Sequence, residues 1–198
     1  MTEKNDGIKV ILLGESFVGK TSLIKVAIGE KFDKTEMTTF SSNYSVFNFE
    51  YNGKEYIFNL WDTIGQEKFM ALTKMFFKDS KIIILVYDIT NEKSFKQLDY
   101  WYNQIVNELG EQDYTLAVVG NKKDLFKEEK VDKAQGTKFA QDKKAKFKLT
   151  SAKEDPLGFK DFLKQIFKEF IDQNKDLFDT KKGNSLKKSK HKKNGKCC

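Results

Sequence analysis

The chain has 198 residues, 36 basic and 29 acidic side chains, a formal net charge of +7 and 39% hydrophobic residues. This length suits one domain with a substantial core and a short extension. The longest uninterrupted apolar run spans only residues 82–87, and residues 1–9 hold no apolar leader segment, so we expect a cytosolic protein without a membrane-spanning helix.

The basic charge is concentrated at the C-terminus. Residues 180–198 contain eight lysines and no acidic residue, so the rest of the chain is close to neutral. A nucleic-acid-binding domain carries its basic stripe on the folded surface, so we expect no nucleic-acid partner. There is no arginine, the single histidine is His191, and both cysteines, Cys197 and Cys198, end the chain. Histidine-based catalysis and structural disulfides are therefore excluded from the body, and a reaction that needs arginine must take it from a partner.

Alternating strand and helix patterns predict an α/β domain with a mostly parallel six-stranded sheet, one antiparallel hairpin strand and helices on both faces. The predicted strands are 8–13, 44–51, 56–61, 82–87, 116–119 and a short strand ending before Thr150; the predicted helices are 20–28, 92–109, 133–142 and 157–171. Asn52-Gly53 is typical of a two-residue hairpin turn. Asp155 and Pro156 suit the start of the last helix. We expect a domain of residues 1–174 and a disordered lysine-rich segment from 175 to 198.

The segment between the first strand and the first helix matches G-x-x-x-x-G-K-[ST] at residues 14–21, a phosphate-binding loop. Gly14 and Gly19 let the backbone N–H groups turn towards phosphate oxygens, Lys20 reaches the outer phosphates, and the Thr21 hydroxyl can bind Mg²⁺. The N-terminus of the helix adds positive electrostatic potential to the phosphate site. An ordinary strand–turn–helix with an incidental lysine is the structural alternative. The predicted phosphate site also includes Ser16, Val18 and Ser22.

Three further motifs follow predicted strands: residues 61–67 (WDTIGQE), 121–124 (NKKD) and 150–153 (TSAK). Asp62 can hold Mg²⁺ through water, and the Gly65 N–H can reach a third phosphate. The Asp124 carboxylate can accept two N–H donors from a guanine edge. Ligands of open α/β sheets bind at the carboxyl ends of the strands, where all four motifs fall. The predicted base-binding residues are Asn121, Lys122, Asp124, Ser151, Ala152 and Lys153.

Over residues 8–173 these motifs resemble those of the Ras superfamily of small GTPases with a P-loop NTPase fold, and within it the Rab branch. Trp61, residues 68–73 (KFMALT), residues 85–90 (LVYDIT) and the terminal Cys-Cys favour Rab. The resemblance implies GTP and GDP as ligands with Mg²⁺ as cofactor. It also implies that Thr39 senses Mg²⁺ and the γ-phosphate, that Phe32 packs against guanine, and that Gln66 and Lys20 are catalytic.

The same resemblance implies a membrane-anchored switch in vesicle trafficking with slow intrinsic GTP hydrolysis. Prenyl groups on Cys197 and Cys198, with the lysine tail, would hold it on the cytoplasmic face of an endomembrane or the plasma membrane, cycling with the cytosol. The implied partners are an exchange factor, a GTPase-activating protein that supplies an arginine, escort and dissociation-inhibitor proteins, a geranylgeranyl transferase, and effectors that contact residues 33–44 and 62–76. We expect a monomer.

Three positions depart from the Rab pattern. Ile64 stands where Rab proteins usually have Ala, which predicts either a hydrolysis-impaired, GTP-bound membrane scaffold or only local repacking. Residues 40–44 (FSSNY) differ from the family and bear on effector identity, and Phe17 is larger than usual and is expected to point outward. Two more alternatives stay open on sequence alone: an ATP-dependent kinase or ATPase, and a tail that carries no lipid.

Overall fold

The computed structural model describes residues 7–34, 43–63, 77–110 and 113–179. Within these ranges the strands are β1 (Ile8–Leu13), β2 (Asn43–Tyr51), β3 (Lys54–Asp62), β4 (Ile82–Asp88), β5 (Thr115–Asn121) and β6 (Lys146–Leu149). The helices are α1 (Lys20–Ile28), α2 (Glu92–Leu109), α3 (Lys133–Asp142), α4 (Pro156–Gln173) and α5 (Lys175–Asp179), with a 3₁₀ helix at Lys123–Glu128.

The six strands form one sheet in the order β2-β3-β1-β4-β5-β6. Strand β1 pairs in parallel with β3 and β4, and β4-β5 and β5-β6 are also parallel, whereas β2 pairs antiparallel with β3. Asn52 and Gly53 join β2 to β3 with φ of 51° and 70°, the left-handed pair that a tight hairpin requires. The predicted fold class is confirmed.

Helices cover both faces of the sheet because its inner strands are apolar on both sides. All seven residues of β4 are buried. In β1, Val10 and Leu12 join the core beneath α1 and α4, whereas Ile11 and Leu13 join the core beneath α2 and α3. The first core includes Phe58 and Phe167, whose rings stack with centroids 3.7 Å apart. This packing fixes the carboxyl ends of the strands, where the motifs lie.

The helix starts agree with their sequence signals. The Asp155 side chain accepts a hydrogen bond from the Gly158 N–H and Pro156 occupies the first turn of α4, as predicted. Asp132 and Gln135 form a reciprocal capping box at α3. Each cap satisfies backbone donors that the first turn of a helix otherwise leaves without partners.

The predicted disorder from residue 175 onward is wrong for its first five residues, which form α5. The Phe178 ring packs edge-on against Tyr56, with centroids 5.1 Å apart, and against Phe170 at 6.4 Å. An aromatic side chain can therefore dock a short helix that composition alone marks as tail. Residues 180–198, including Cys197 and Cys198, lie outside the described ranges. In the described part of the chain, every helix is too short or too polar to span a bilayer.

Candidate functional site

A cleft of about 440 Å³ opens at the carboxyl ends of the strands. It lies between the loop after β1 and the loops that follow β5 and β6. The predicted site residues that line it are Ser16, Gly19, Lys20, Thr21, Ser22, Phe32, Asn121, Lys122, Asp124, Ala152 and Lys153. It is also lined by residues to which no nucleotide-binding role was assigned from the sequence: Phe17, Asp33, Lys34, Thr63 and Leu125. Phe17 and Thr63 lie inside recognised motifs, Leu125 directly follows one, and Asp33 and Lys34 directly follow Phe32.

The two glycines of the loop after β1 are required by close packing as well as by backbone conformation. Gly14 has φ +149°, and a Cβ there would lie 2.2 Å from the Val86 carbonyl oxygen. Gly19 has φ +94°, and a Cβ there would lie 2.4 Å from the Asn121 Nδ2. A side chain at either position would push the loop away from the sheet, so glycine is needed to form the cleft wall.

Lys20, the first residue of α1, is 6% exposed. Its Nζ donates hydrogen bonds to the carbonyl oxygens of Gly14 and Glu15, both at 2.9 Å. Burial lowers the pKa of the Lys20 ammonium from 10.5 to about 8, and the negative charges of Asp62 and Glu15 oppose part of this shift. A buried cation at a helix N-terminus favours an anion in the adjoining cleft.

Thr21 and Asp62 bring oxygen atoms together beside this lysine. The Thr21 Oγ1 donates to the Asp62 Oδ2 at 2.7 Å, and Asp62 is 8% exposed at the end of β3. A hydroxyl and a carboxylate are the hard oxygen ligands that Mg²⁺ prefers. The Ser16 Oγ is buried with no hydrogen-bond partner in the described part of the chain. Such an orphaned polar atom in the phosphate loop fits a polar ligand that supplies the missing partner.

Asn121 joins the loops on two sides of the cleft. Its Nδ2 donates to the Val18 carbonyl oxygen at 2.8 Å, and its Oδ1 accepts from the Ala152 N–H at 3.2 Å. The side chain is 2% exposed, so both hydrogen bonds are shielded from water. Asn121 therefore fixes the distance between the phosphate loop and the loop after β6.

Asp124 is oriented by the loop after β6. The Ser151 Oγ donates to the Asp124 Oδ1 at 2.5 Å, and the Lys153 Nζ lies 3.9 Å from the Oδ2. The Ser151 Oγ in turn accepts from the N–H groups of Lys153 and Glu154, at 3.2 and 3.0 Å. The Asp124 side chain is only 7% exposed. A fixed, largely buried carboxylate can accept a pair of N–H donors from a planar base.

The cleft thus has a cationic, oxygen-rich end and a carboxylate end, which suits a purine nucleotide. A sequence model described as "Ras family" matches residues 9–174. The chain is 38% identical over 164 residues to the Ras-related protein Rab-21 of Bos taurus, covering 83% of this chain and 73% of the relative. It is 37% identical over 145 residues to the Ras-related protein Rab-8A of Pongo abelii, covering 73% and 70%. The chain is a Rab-type small GTPase of the Ras family. It hydrolyses GTP, and the fold is that of a P-loop NTPase.

The remaining predicted residues of this GTPase have distinct placements. Gly14, Val18, Asp62 and Ser151 are buried, immediately behind the residues that line the cleft. Phe17 points outward as expected, with 72% of its surface exposed and φ +65°, a backbone conformation that costs energy for a bulky side chain.

Several predicted residues of the GTPase lie outside the described ranges. These are Thr39, Ile64, Gly65, Gln66, Cys197 and Cys198, together with most of the two predicted effector segments. Their assigned roles remain predictions.

Proposed function

We propose that this GTPase is a membrane-anchored GTP/GDP switch that regulates vesicle trafficking by recruiting effectors. One observation supports the nucleotide-binding part of this proposal. Lys20, Thr21 and the adjoining Asp62 lie at one end of the same cleft, and Asp124 lies at the other end. Cleft residues of this kind hold a triphosphate and a guanine base at the same time. The similarity to the Ras-related proteins Rab-21 and Rab-8A supports the trafficking part of the proposal.

In the proposed mechanism the substrate's phosphates lie against the N–H groups of the phosphate loop, and Lys20 binds the outer phosphate oxygens. Thr21 and Asp62 would hold Mg²⁺ with Thr39, and the ion, when bound, neutralises phosphate charge. Asp124 accepts two N–H donors of guanine, an arrangement that adenine cannot match. Gln66 orients the water that attacks the γ-phosphorus, and GDP and phosphate leave.

Because the chain contains no arginine, we expect slow hydrolysis without a partner. An arginine from a GTPase-activating protein would stabilise the transition-state charge, an effect on the order of 10³-fold or more. An exchange factor would reload GTP. Effectors would read the segments 33–44 and 62–76, whose conformation depends on the γ-phosphate in switches of this class.

The proposed anchor is the C-terminal segment. Two prenylated cysteines give stable membrane binding where one lipid chain gives only marginal binding. The eight lysines of residues 180–198 add attraction to anionic cytoplasmic leaflets. Residues 180–198 would then link the domain to an endomembrane or the plasma membrane, and a dissociation inhibitor would return the protein to the cytosol.

The test is single-turnover hydrolysis of preloaded GTP by the wild type, Ile64→Ala and, as a hydrolysis-deficient floor, Gln66→Leu. Comparable rates for wild type and Ile64→Ala, both above the floor, support the switch. A wild type at the floor together with an active Ile64→Ala variant favours the GTP-bound scaffold instead. An Asp124→Asn variant tests the assignment of Asp124 to guanine binding. Its affinity for GTP should fall and its affinity for xanthosine triphosphate should rise, and unchanged GTP loading would contradict the role of Asp124.

A further inference from the structure

Asp88 is a buried acidic residue next to the cleft for which the proposed mechanism has no role. It ends β4, is 6% exposed, and stands in register with Asn121 at the end of β5. The Ile89 N–H donates to the Asn121 carbonyl oxygen at 3.2 Å, which ties the two strand ends together. Asp88 does not itself line the cleft. A carboxylate buried to this degree costs free energy unless it is paired and hydrogen-bonded.

The Asp88 carboxylate is held in one orientation. Its Oδ1 accepts from the Thr90 N–H at 2.9 Å and from the Thr90 Oγ1 at 2.8 Å. The backbone is fixed as well, because the Asp88 N–H donates to the Ser94 Oγ at 3.1 Å. These contacts leave the Oδ2 directed to the Lys122 Nζ, 2.7 Å away. The Asp88 carboxylate is therefore already oriented towards Lys122 before any ligand enters the cleft.

Lys122 is the residue on which this carboxylate acts. It lines the cleft between Asn121 and Asp124 and has φ +64°, so its backbone is in the left-handed region. A lysine has a flexible four-carbon stem, and most of its rotamer freedom is lost when the ammonium is bound. Pinning the ammonium to Asp88 leaves the methylene stem as an ordered apolar strip along the cleft wall.

We propose that Asp88 is a positioning residue for base recognition, fixing Lys122 so that its methylene stem forms a preordered wall against the purine ring. The inference rests on the proposed function, in which guanine lies at the Asp124 end of the cleft. The pair acts without touching the base edge, so it governs how long the nucleotide stays bound and leaves the choice of base to Asp124.

The first test is the rate at which a fluorescent GDP analogue dissociates from the full chain with Mg²⁺ present. Asp88→Asn keeps the shape and removes the charge, and the loss of one charge-assisted hydrogen bond corresponds to dissociation faster on the order of tenfold. Asp88→Glu keeps the carboxylate but adds a methylene group, so it should lie nearer to the wild type than Asn does. A residue needed only for packing would show the opposite order, because Asn is the isosteric replacement.

The second test is a double-mutant cycle with Lys122→Met, which keeps an apolar stem but removes the ammonium. If Asp88 acts through Lys122, the double variant dissociates no faster than either single variant, within about twofold. Rate increases that multiply would overturn the proposal, and so would an Asp88→Asn rate equal to that of the wild type.

The matched control is Glu169→Gln. This removes a second ion pair, between Lys146 and Glu169 on β6 and α4, whose lysine is as exposed as Lys122 at 32%. Neither residue lines the cleft, so the dissociation rate should not change. Failure of the proposed function gives a different result from failure of the positioning role. If the cleft is not a guanine-nucleotide site, excess GDP and excess ADP will release the analogue from the wild type equally. If only GDP competes and Asp88→Asn has no effect, the positioning role alone is wrong.

Discussion

Replacing Asn121 with Ala should weaken the fold and the nucleotide site together. The substitution removes the two hydrogen bonds that Asn121 makes to the phosphate loop and to the loop after β6. It leaves the Val18 carbonyl and the Ala152 N–H in an interior where those residues are 1% and 4% exposed. A buried group that loses its partner costs about 1–3 kcal/mol, so the expected loss in free energy of unfolding is about 3 kcal/mol.

This loss is large enough to measure in two ways. In urea unfolding at saturating GDP and Mg²⁺ it should lower the midpoint at unchanged slope, and the equivalent fall in Tm is about 10 °C for a chain of this size. Because the two loops face the same ligand, GDP release should also become faster, and the factor is on the order of a hundredfold where the whole loss of about 3 kcal/mol falls on the nucleotide-bound state.

The matched control is Asn103→Ala, at an exposed position in the middle of α2. It should change the free energy of unfolding by less than about 0.5 kcal/mol and leave GDP release as in the wild type. The reasoning would be refuted if Asn121→Ala behaved like this control in both assays. A large loss of stability with normal GDP release would mean that Asn121 supports the sheet but not the ligand.

Two further predictions concern the core and Lys20. Gly136→Ala in α3 should lower the free energy of unfolding in urea by about 1–3 kcal/mol, although Ala normally favours a helix. The reason is steric, because the added methyl group would lie 2.4 Å from the Tyr87 Oη and 2.6 Å from the Phe147 ring. A gain in stability would show that these rings move aside. GDP affinity should fall about tenfold between pH 8 and 9.5, because burial lowers the pKa of Lys20 to about 8 and phosphate binds its protonated form, whose fraction declines as pH rises. Competition binding measures this fall, and a Lys20→Met variant that shows the same fall would contradict the assignment to Lys20.

Local chemistry made much of the fold and site predictable. Apolar runs of four to six residues specify buried strands, and Asn52-Gly53 specifies the turn between β2 and β3 because few other residues tolerate two left-handed conformations. The phosphate loop is similarly local: its glycines, Lys20 and Thr21 lie within eight consecutive residues. The sequence could not mark the end of the folded part, because α5 depends on Phe178 meeting Tyr56, a residue far away in the chain.

The sequence by itself determined which chemical groups this GTPase has, their order along the chain and the strand ends that carry them. Tertiary structure alone decided which of those groups act on one another. The Asn121 side chain forms hydrogen bonds to two loops, and Lys122 forms an ion pair with Asp88, a residue for which no motif gave a binding role. Such pairs depend on the register of β4 against β5 and on the packing of helices behind them. These side-chain pairs depend on how the whole core packs, and no short segment of the sequence specifies that packing.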